Sequence, residues 1–350
     1  MQPPSGYRTS PVLIGLGVGA AVIAVGLALT YEAPPIQTTQ NGFRGLAMVD
    51  VQNPRRVAER VATNRVPEPQ PAVELAGQKA SELYENVPVL GDLDVEQFNR
   101  LMAAITEWVS PEQGCAYCHA EGEPLSSDKL YTKVVARKML QMVGTINADW
   151  QAHVGATGVT CWTCHRGQPV PNGIWFTQPN PMQAGGAAQG PTGQNRPAPL
   201  ATLASLPADP LTPFLSSPDS PPIRVIDNRV LPVRGGQGAS IQATERTYSL
   251  MHYVSDSLGV NCTYCHNSRS FFAWDQSTPK RTIAYHGIQM VRAVNQDYIL
   301  PLEGVFPKQR LGPLGDVPKL ACATCHQGAA KPLLGAAMLK DYPELAQIKR

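Results

Sequence analysis

The pentapeptide Cys-x-x-Cys-His occurs four times in this chain, as Cys115-Ala-Tyr-Cys118-His119, Cys161-Trp-Thr-Cys164-His165, Cys262-Thr-Tyr-Cys265-His266 and Cys322-Ala-Thr-Cys325-His326. Two thiols one helical turn apart can each add across a haem vinyl group, and the adjoining imidazole then falls beneath the iron as proximal ligand. All 8 cysteines lie in these motifs, which leaves no thiol for a structural disulfide, a lipid anchor or a catalytic nucleophile. Disulfide frameworks, thioredoxin-like redox pairs and zinc knuckles do not require a histidine after every second cysteine. The pattern predicts four covalently bound haem c groups, with His119, His165, His266 and His326 as proximal ligands.

The elements that must position these groups are helices set in much irregular chain. With 33 Pro, 30 Gly and 16% charged residues in 350, long amphipathic helices cannot account for the whole core. Four haems relax that demand, because each is a large apolar body. Helical stripes run from Val95 to Trp108, with Asp94 as cap, and from about Asp128 to Trp150, started by Ser126 or Ser127. Further stripes run from about Ser240 to Leu258 and from Thr278 to Tyr298, and Glu74 to Glu85 reads as a short helix. The segment Ala136 to Trp150 runs in register with Ala284 to Tyr298: Met142 matches Met290, Asn147 matches Asn295, and Met139 faces Gly287. Leu101-Met102 likewise matches Leu250-Met251, which makes the protein a duplicated two-haem module with a pseudo-two-fold arrangement of its halves.

The expected fold is mainly α with extensive irregular structure: a multihaem cytochrome c of two pseudo-symmetric two-haem modules behind an N-terminal transmembrane helix. Residues 1–33 form the membrane anchor, 34–71 an extended surface segment, and 72–168 the module of haems 1 and 2. A Pro/Gly-rich linker draped over the surface, with one short strand at Ile223 to Val230, occupies 169–238. The module of haems 3 and 4 spans 239–332, and a C-terminal tail covers 333–350. Val12 to Thr30 has no charged residue and is about long enough for a hydrocarbon core of roughly 30 Å. Its length exceeds a signal-peptide core of roughly 7 to 15 residues, which favours a retained anchor over a cleaved signal. Arg8 before it and Glu32 after it orient the remainder outside the cytoplasm.

The internal repeat makes the sixth ligands readable. Met102 and Met251 hold the same place in the two halves and are expected as distal ligands of haems 1 and 3. For haem 2, Met139 and Met142 compete. If Met139 binds, haem 4 has lost its local methionine; if Met142 binds, Met290 should bind haem 4. His153, His252 and His286 are the histidines outside the motifs, with His153 and its rival His286 as candidates to cross to another haem.

With Met102 thirteen residues before Cys115, Met251 eleven before Cys262, Met139 and His153 ahead of Cys161, and the His165-Arg-Gly and His326-Gln-Gly tails, the chain resembles the tetrahaem cytochrome subunit of purple-bacterial photosynthetic reaction centres. The likeness runs from about Gln40 to Pro332. It implies three His/Met haems and one His/His haem, with Met139 on haem 2 and His153 opposite His326 on haem 4. It implies haems in line in the order 1, 2, 4, 3, reduced by a soluble cytochrome c or high-potential iron-sulfur protein. Haem 3 would lie nearest the photo-oxidised bacteriochlorophyll pair of the reaction-centre core. Members of that family often carry a lipidated N-terminal cysteine; here the expected tether is the hydrophobic helix or the partner complex, at the periplasmic face of the inner membrane.

The resemblance implies electron transfer without bond-making chemistry, hence no catalytic residue. Between Pro67 and Leu125 acidic residues such as Glu82, Glu85, Glu112, Glu121 and Glu123 face only Lys79 and Arg100. That shell around haem 1 is suited to steering a basic donor. A net charge of +2 without a basic cluster gives no sign of nucleic-acid binding. A membrane-anchored tetrahaem quinol dehydrogenase is the alternative, and the repeated Met102 and Met251 speak against its reliance on histidine ligands. A multihaem reductase needs an open iron position, whereas here each haem has a plausible sixth ligand.

Overall fold

The computed structural model describes residues 10–31, 35–40, 48–179, 198–226 and 240–348. Helix α1 (Pro11–Leu29) is apolar all round, with a mean hydropathy of 2.6, and none of it is buried against the rest of the protein. A helix apolar on every face has no solvent-compatible side, and its 19 residues suffice to cross a membrane. Arg8 and Glu32, on which the orientation rests, lie outside the described residues.

The segment expected as extended is more structured than its prolines suggest. Strands β1 (Gln37–Gln40) and β2 (Val49–Gln52) pair antiparallel, Gln37 opposite Gln52 and Gln40 opposite Val49. Helix α2 (Pro54–Thr63) follows, with Pro54 in its first turn and the Asn53 side chain accepting from Arg55 N. Arg60 of α2 donates through Nη1 to the Gly259 carbonyl at 2.9 Å, which ties this segment to the second half of the chain.

Helix α3 (Ala80–Leu83) is shorter than the expected Glu74 to Glu85, since Gly77 at φ 75° breaks the run. Helix α4 (Val95–Val109) starts where the sequence places it, its first turn capped by Asp94 accepting from Glu96 N at 2.9 Å. Helix α5 (Tyr131–Asp149) begins after Leu130, and neither Ser126 nor Ser127 caps it. Lys133 instead holds the incoming chain, donating to the Leu125 and Ser127 carbonyls. Helices α6 (Gln151–Val154) and α7 (Cys161–His165) complete the first half, and α8 (Ile241–Leu258), α9 (Pro279–Val294) and α10 (Cys322–His326) the second. Ser240 caps α8 as its sequence predicts, and the tail of the α9 stripe winds into a wider turn from Asn295 to Ile299.

The Pro/Gly-rich stretch does not lie only on the surface. Ala201, Leu211, Phe214 and Leu215 are fully buried, and the turn at Thr212–Ser216 packs on α9. Trp175 exchanges backbone hydrogen bonds with Lys319 in both directions at 3.0 Å. No strand forms over residues 223–226, and 227–230 lie outside the described residues. The C-terminal tail is also part of the core. Tyr342 meets the Trp108 ring edge-on at 4.6 Å, accepts from Gln70 N through its hydroxyl, and lies under the Arg100 guanidinium at 4.2 Å.

Candidate functional site

The four motifs adopt two local forms. Motifs 2 and 4 are the short helices α7 and α10. In each the threonine before the second cysteine reaches back: Thr163 Oγ1 accepts from Thr160 N at 2.9 Å, and Thr324 Oγ1 from Ala321 N at 3.0 Å. Each helix then stops at a left-handed residue, Arg166 (φ 50°) or Gln327 (φ 44°), followed by Gly167 or Gly328. Gly167 N donates to the Trp108 carbonyl of α4 and Gly328 N to the Ser257 carbonyl of α8, both at 2.8 Å. Motifs 1 and 3 are tighter 3₁₀ turns, Gly114–Tyr117 and Cys262–Tyr264, whose tyrosine carbonyls accept from Thr132 and Thr278.

Two residues whose role the sequence did not disclose set where motifs 2 and 4 begin. Asn147 Oδ1 accepts from Val159 N at 2.7 Å and its Nδ2 donates to the Val159 carbonyl at 3.0 Å. Asn295 does the same to Leu320, at 2.8 Å in both directions. Val159 and Leu320 each stand two residues before the first cysteine, so a buried amide clamps both motifs identically. Their match in the repeat was the available signal.

The imidazoles are held so that one nitrogen stays available to a metal. Nδ1 faces a backbone carbonyl in all four proximal candidates: His119 to Leu125 (3.0 Å), His165 to Gln168 (2.9 Å), His266 to Phe271 (2.8 Å) and His326 to Ala329 (2.9 Å). A carbonyl only accepts, so Nδ1 carries the proton and Nε2 keeps its lone pair, as metal-bound histidines require. His153 shares this arrangement, its Nδ1 at 2.9 Å from the Ile283 carbonyl. His252 instead faces the Thr202 hydroxyl, which can donate or accept, and His286 meets the Tyr285 ring. Burial lowers the pKa of His153, His165 and His266, and brings His326 down to about 4, so these rings are neutral at neutral pH.

His153 comes from the first half of the chain and His326 from the second, yet their ring centres are 6.0 Å apart with planes inclined at 62°. Two imidazoles on opposite sides of one metal ion, each with a metal–nitrogen bond of about 2.0 Å, have ring centres about 6 Å apart. The spacing therefore fits a single iron between them. An open, mostly apolar cavity of about 790 Å³, within the roughly 300–1,000 Å³ of ordinary cofactor sites, lies along the first two motifs and is closed on one side by residues 299–320. Met102 lines it with Cys115, Cys118 and His119; Met139 and Met142 line it with Cys161, Cys164 and His165. Met251 is half-buried on α8, against the core. Among the described residues no group of three or more His, Cys, Asp or Glu is gathered so as to hold a bare metal ion. The buried Nε of Arg166 lacks a hydrogen-bond partner, and an anion such as a haem propionate would satisfy it. The residues present fit haem.

The sulfurs of Cys164 and Cys325 lie within disulfide-bonding reach of each other, with Cα atoms 4.4 Å apart, a pairing of these thiols that the sequence reading did not foresee. Motifs 2 and 4 lie back to back, a contact that no motif taken singly discloses. Arg166 Nη2 donates to the Cys325 carbonyl at 2.9 Å, and Gln327 Nε2 to the Cys164 carbonyl at 3.3 Å, so each motif reaches across to the other's second cysteine. A sulfur bonded to a haem vinyl carbon cannot also sit in a disulfide. The two bonds are exclusive uses of the same atoms, and both place motif 2 beside motif 4.

Residues 32–346 match the family model described as photosynthetic reaction centre cytochrome C subunit. The chain is 50% identical to the photosynthetic reaction center cytochrome c subunit of Thermochromatium tepidum, covering 98% of this chain and 81% of that protein. Its counterparts from Rubrivivax gelatinosus (47%, covering 93% and 87%) and Roseobacter denitrificans (44%, covering 98% and 94%) are similar over comparable spans. These findings do not favour the quinol-dehydrogenase alternative.

Proposed function

The chain belongs to the photosynthetic reaction centre cytochrome c subunit family, and on that premise we propose that it carries four haem c groups as a relay from a soluble donor to the reaction-centre pigments. It is the membrane-associated electron-transfer subunit of a photosynthetic reaction centre. Bound haem supplies reversible one-electron chemistry at iron. The eight motif cysteines hold the groups covalently. His119 with Met102, His165 with Met139, His266 with Met251 and His326 with His153 would hold the four irons. The observation that carries this reading is that His153 joins His326 from 173 residues away, with both Nδ1 atoms tied to carbonyls. Motifs 2 and 4 lying back to back supports the order 1, 2, 4, 3. Helix α1 tethers the rest at the periplasmic face.

The protein's part is to orient and to tune. Nδ1–H donation fixes each ring and strengthens its basicity, and apolar walls limit water access, which sets potential. Full coordination leaves no position for a substrate, so the subunit performs no bond-making step. The mass of the denatured holoprotein should exceed that of the polypeptide by four haems and should not change on reduction. Fewer haems, with a gain of two hydrogens on reduction, would assign Cys164 and Cys325 to the disulfide and defeat the reading.

The donor is expected to dock near motif 1. Glu121, two residues beyond His119, and Glu112 are exposed, whereas Glu123 is paired with Lys129 at 2.8 Å. Glu121→Lys shifts two charge units; against one donor charge about 10 Å away in water this amounts to about 0.8 kcal/mol, or about fourfold in rate. Stopped-flow reduction by a basic cytochrome c at low salt should slow by that factor, and salt should erase the difference. An unchanged low-salt rate would move the docking site elsewhere.

A further inference from the structure

Glycine weakens a helix interior, so a buried glycine in the middle of α9 needs a reason. Gly287 is such a residue, and its backbone is not in the left-handed region that would demand glycine. The reason lies outside the helix. A Cβ at Gly287 would stand 2.5 Å from His153 Cε1, 2.8 Å from Nδ1 and 3.0 Å from Nε2. Carbon atoms do not approach so closely, and this imidazole is not a loose end that can swing away. Its Nδ1 is bonded to the carbonyl of Ile283, one turn earlier on the same helix, and its other side faces His326. The ring lies against the bare backbone of α9.

Met139 is eight residues after the first residue of α5, and Gly287 is eight residues after the first residue of α9. The same helical position thus carries a thioether in one half and nothing in the other. We infer that Gly287 is a positioning residue that decides which ligand completes haem 4: by offering no side chain, α9 admits the imidazole of His153 from the other half. Where α5 furnishes its own methionine, α9 furnishes a notch. This rests on the reading that His153 and His326 share one iron.

The test uses the purified holoprotein, with near-infrared magnetic circular dichroism and a redox titration. If the wild type shows no bis-imidazole iron, the underlying reading fails. If it shows one, Gly287→Ala should lose most of that signal while the three His/Met signals and the haem content stay in place. Gly287→Met combined with His153→Ala should convert the fourth iron to His/Met and raise its potential, where His153→Ala alone leaves it without a strong sixth ligand. A Gly287→Ala protein with wild-type bis-imidazole intensity and potential overturns the inference. Should Gly287→Ala fail to accumulate, His153→Ala/Gly287→Ala decides. Accumulation equal to that of His153→Ala identifies the imidazole as the obstacle, and continued failure overturns the inference.

Discussion

Replacing His153 by alanine should abolish the one bis-imidazole signal of the holoprotein and leave the three His/Met signals intact. The effect is expected to be all-or-none because no second imidazole is held ready. His286 meets Tyr285, and His252, on α8, is bonded to the Thr202 hydroxyl. The affected iron should become high-spin when oxidised and should bind carbon monoxide when reduced. One carbon monoxide per protein in the variant, against none in the wild type, is the quantity to measure. His286→Ala is the matched control and should leave the spectrum unchanged. A His153→Ala protein that retains a bis-imidazole iron would transfer the ligand role to another histidine.

The second large effect concerns stability. Asn295 is fully buried, and its amide bonds to Leu320 N, the Leu320 carbonyl and the Leu215 carbonyl, at 2.8, 2.8 and 2.9 Å. Alanine would leave Leu320 N and the Leu215 carbonyl without partners in a site that water does not reach, while the Leu320 carbonyl keeps the Trp175 Nε1 donor at 3.2 Å. At about 1–3 kcal/mol for each of these two buried polar groups left unsatisfied, reduced by local relaxation, the loss should be about 2–4 kcal/mol. Asn147→Ala removes the equivalent bonds to Val159 and one to the Leu345 carbonyl, and a similar loss is expected. Denaturant unfolding of the holoprotein would measure both. Because Leu320 leads directly into motif 4, Asn295→Ala should also lower occupancy of the fourth haem more than the first. A loss below about 1 kcal/mol, with full haem content, would reduce the clamp to an incidental contact.

These two cases divide along the range over which sequence carries information. Four motifs, the start of α4 at Asp94, the start of α8 at Ser240 and the register of α5 with α9 were all legible. Each depends on neighbours within a few turns, and helical period and capping chemistry are local properties. The shared cavity of Met102 and Met139 with the first two motifs follows from the same local registers. The duplication even marked Asn147 and Asn295 as a pair, though not their task.

The Pro/Gly-rich stretch shows where composition misleads. Its residues announce irregular backbone, and irregular backbone is ordinarily exposed because its polar groups need water. Here side chains from the helices replace that water. Arg292 donates to the Phe214 carbonyl, Asn295 to the Leu215 carbonyl and Ser249 to the Pro207 carbonyl, so Leu211, Phe214 and Leu215 can be buried without orphaned carbonyls. Irregular and exposed are separate properties, and only the second depends on what the rest of the chain offers.

By itself the sequence determined the four motifs with their paired thiols and imidazoles and the helices that carry the methionines, since bond-forming groups and apolar stripes are written residue by residue. Tertiary structure alone decided that Cys164 meets Cys325 and that His153 comes to rest on Gly287, facing His326. Those contacts join residues more than a hundred positions apart. Nothing local distinguishes an imidazole bound for another helix from one bound for solvent until both halves have packed.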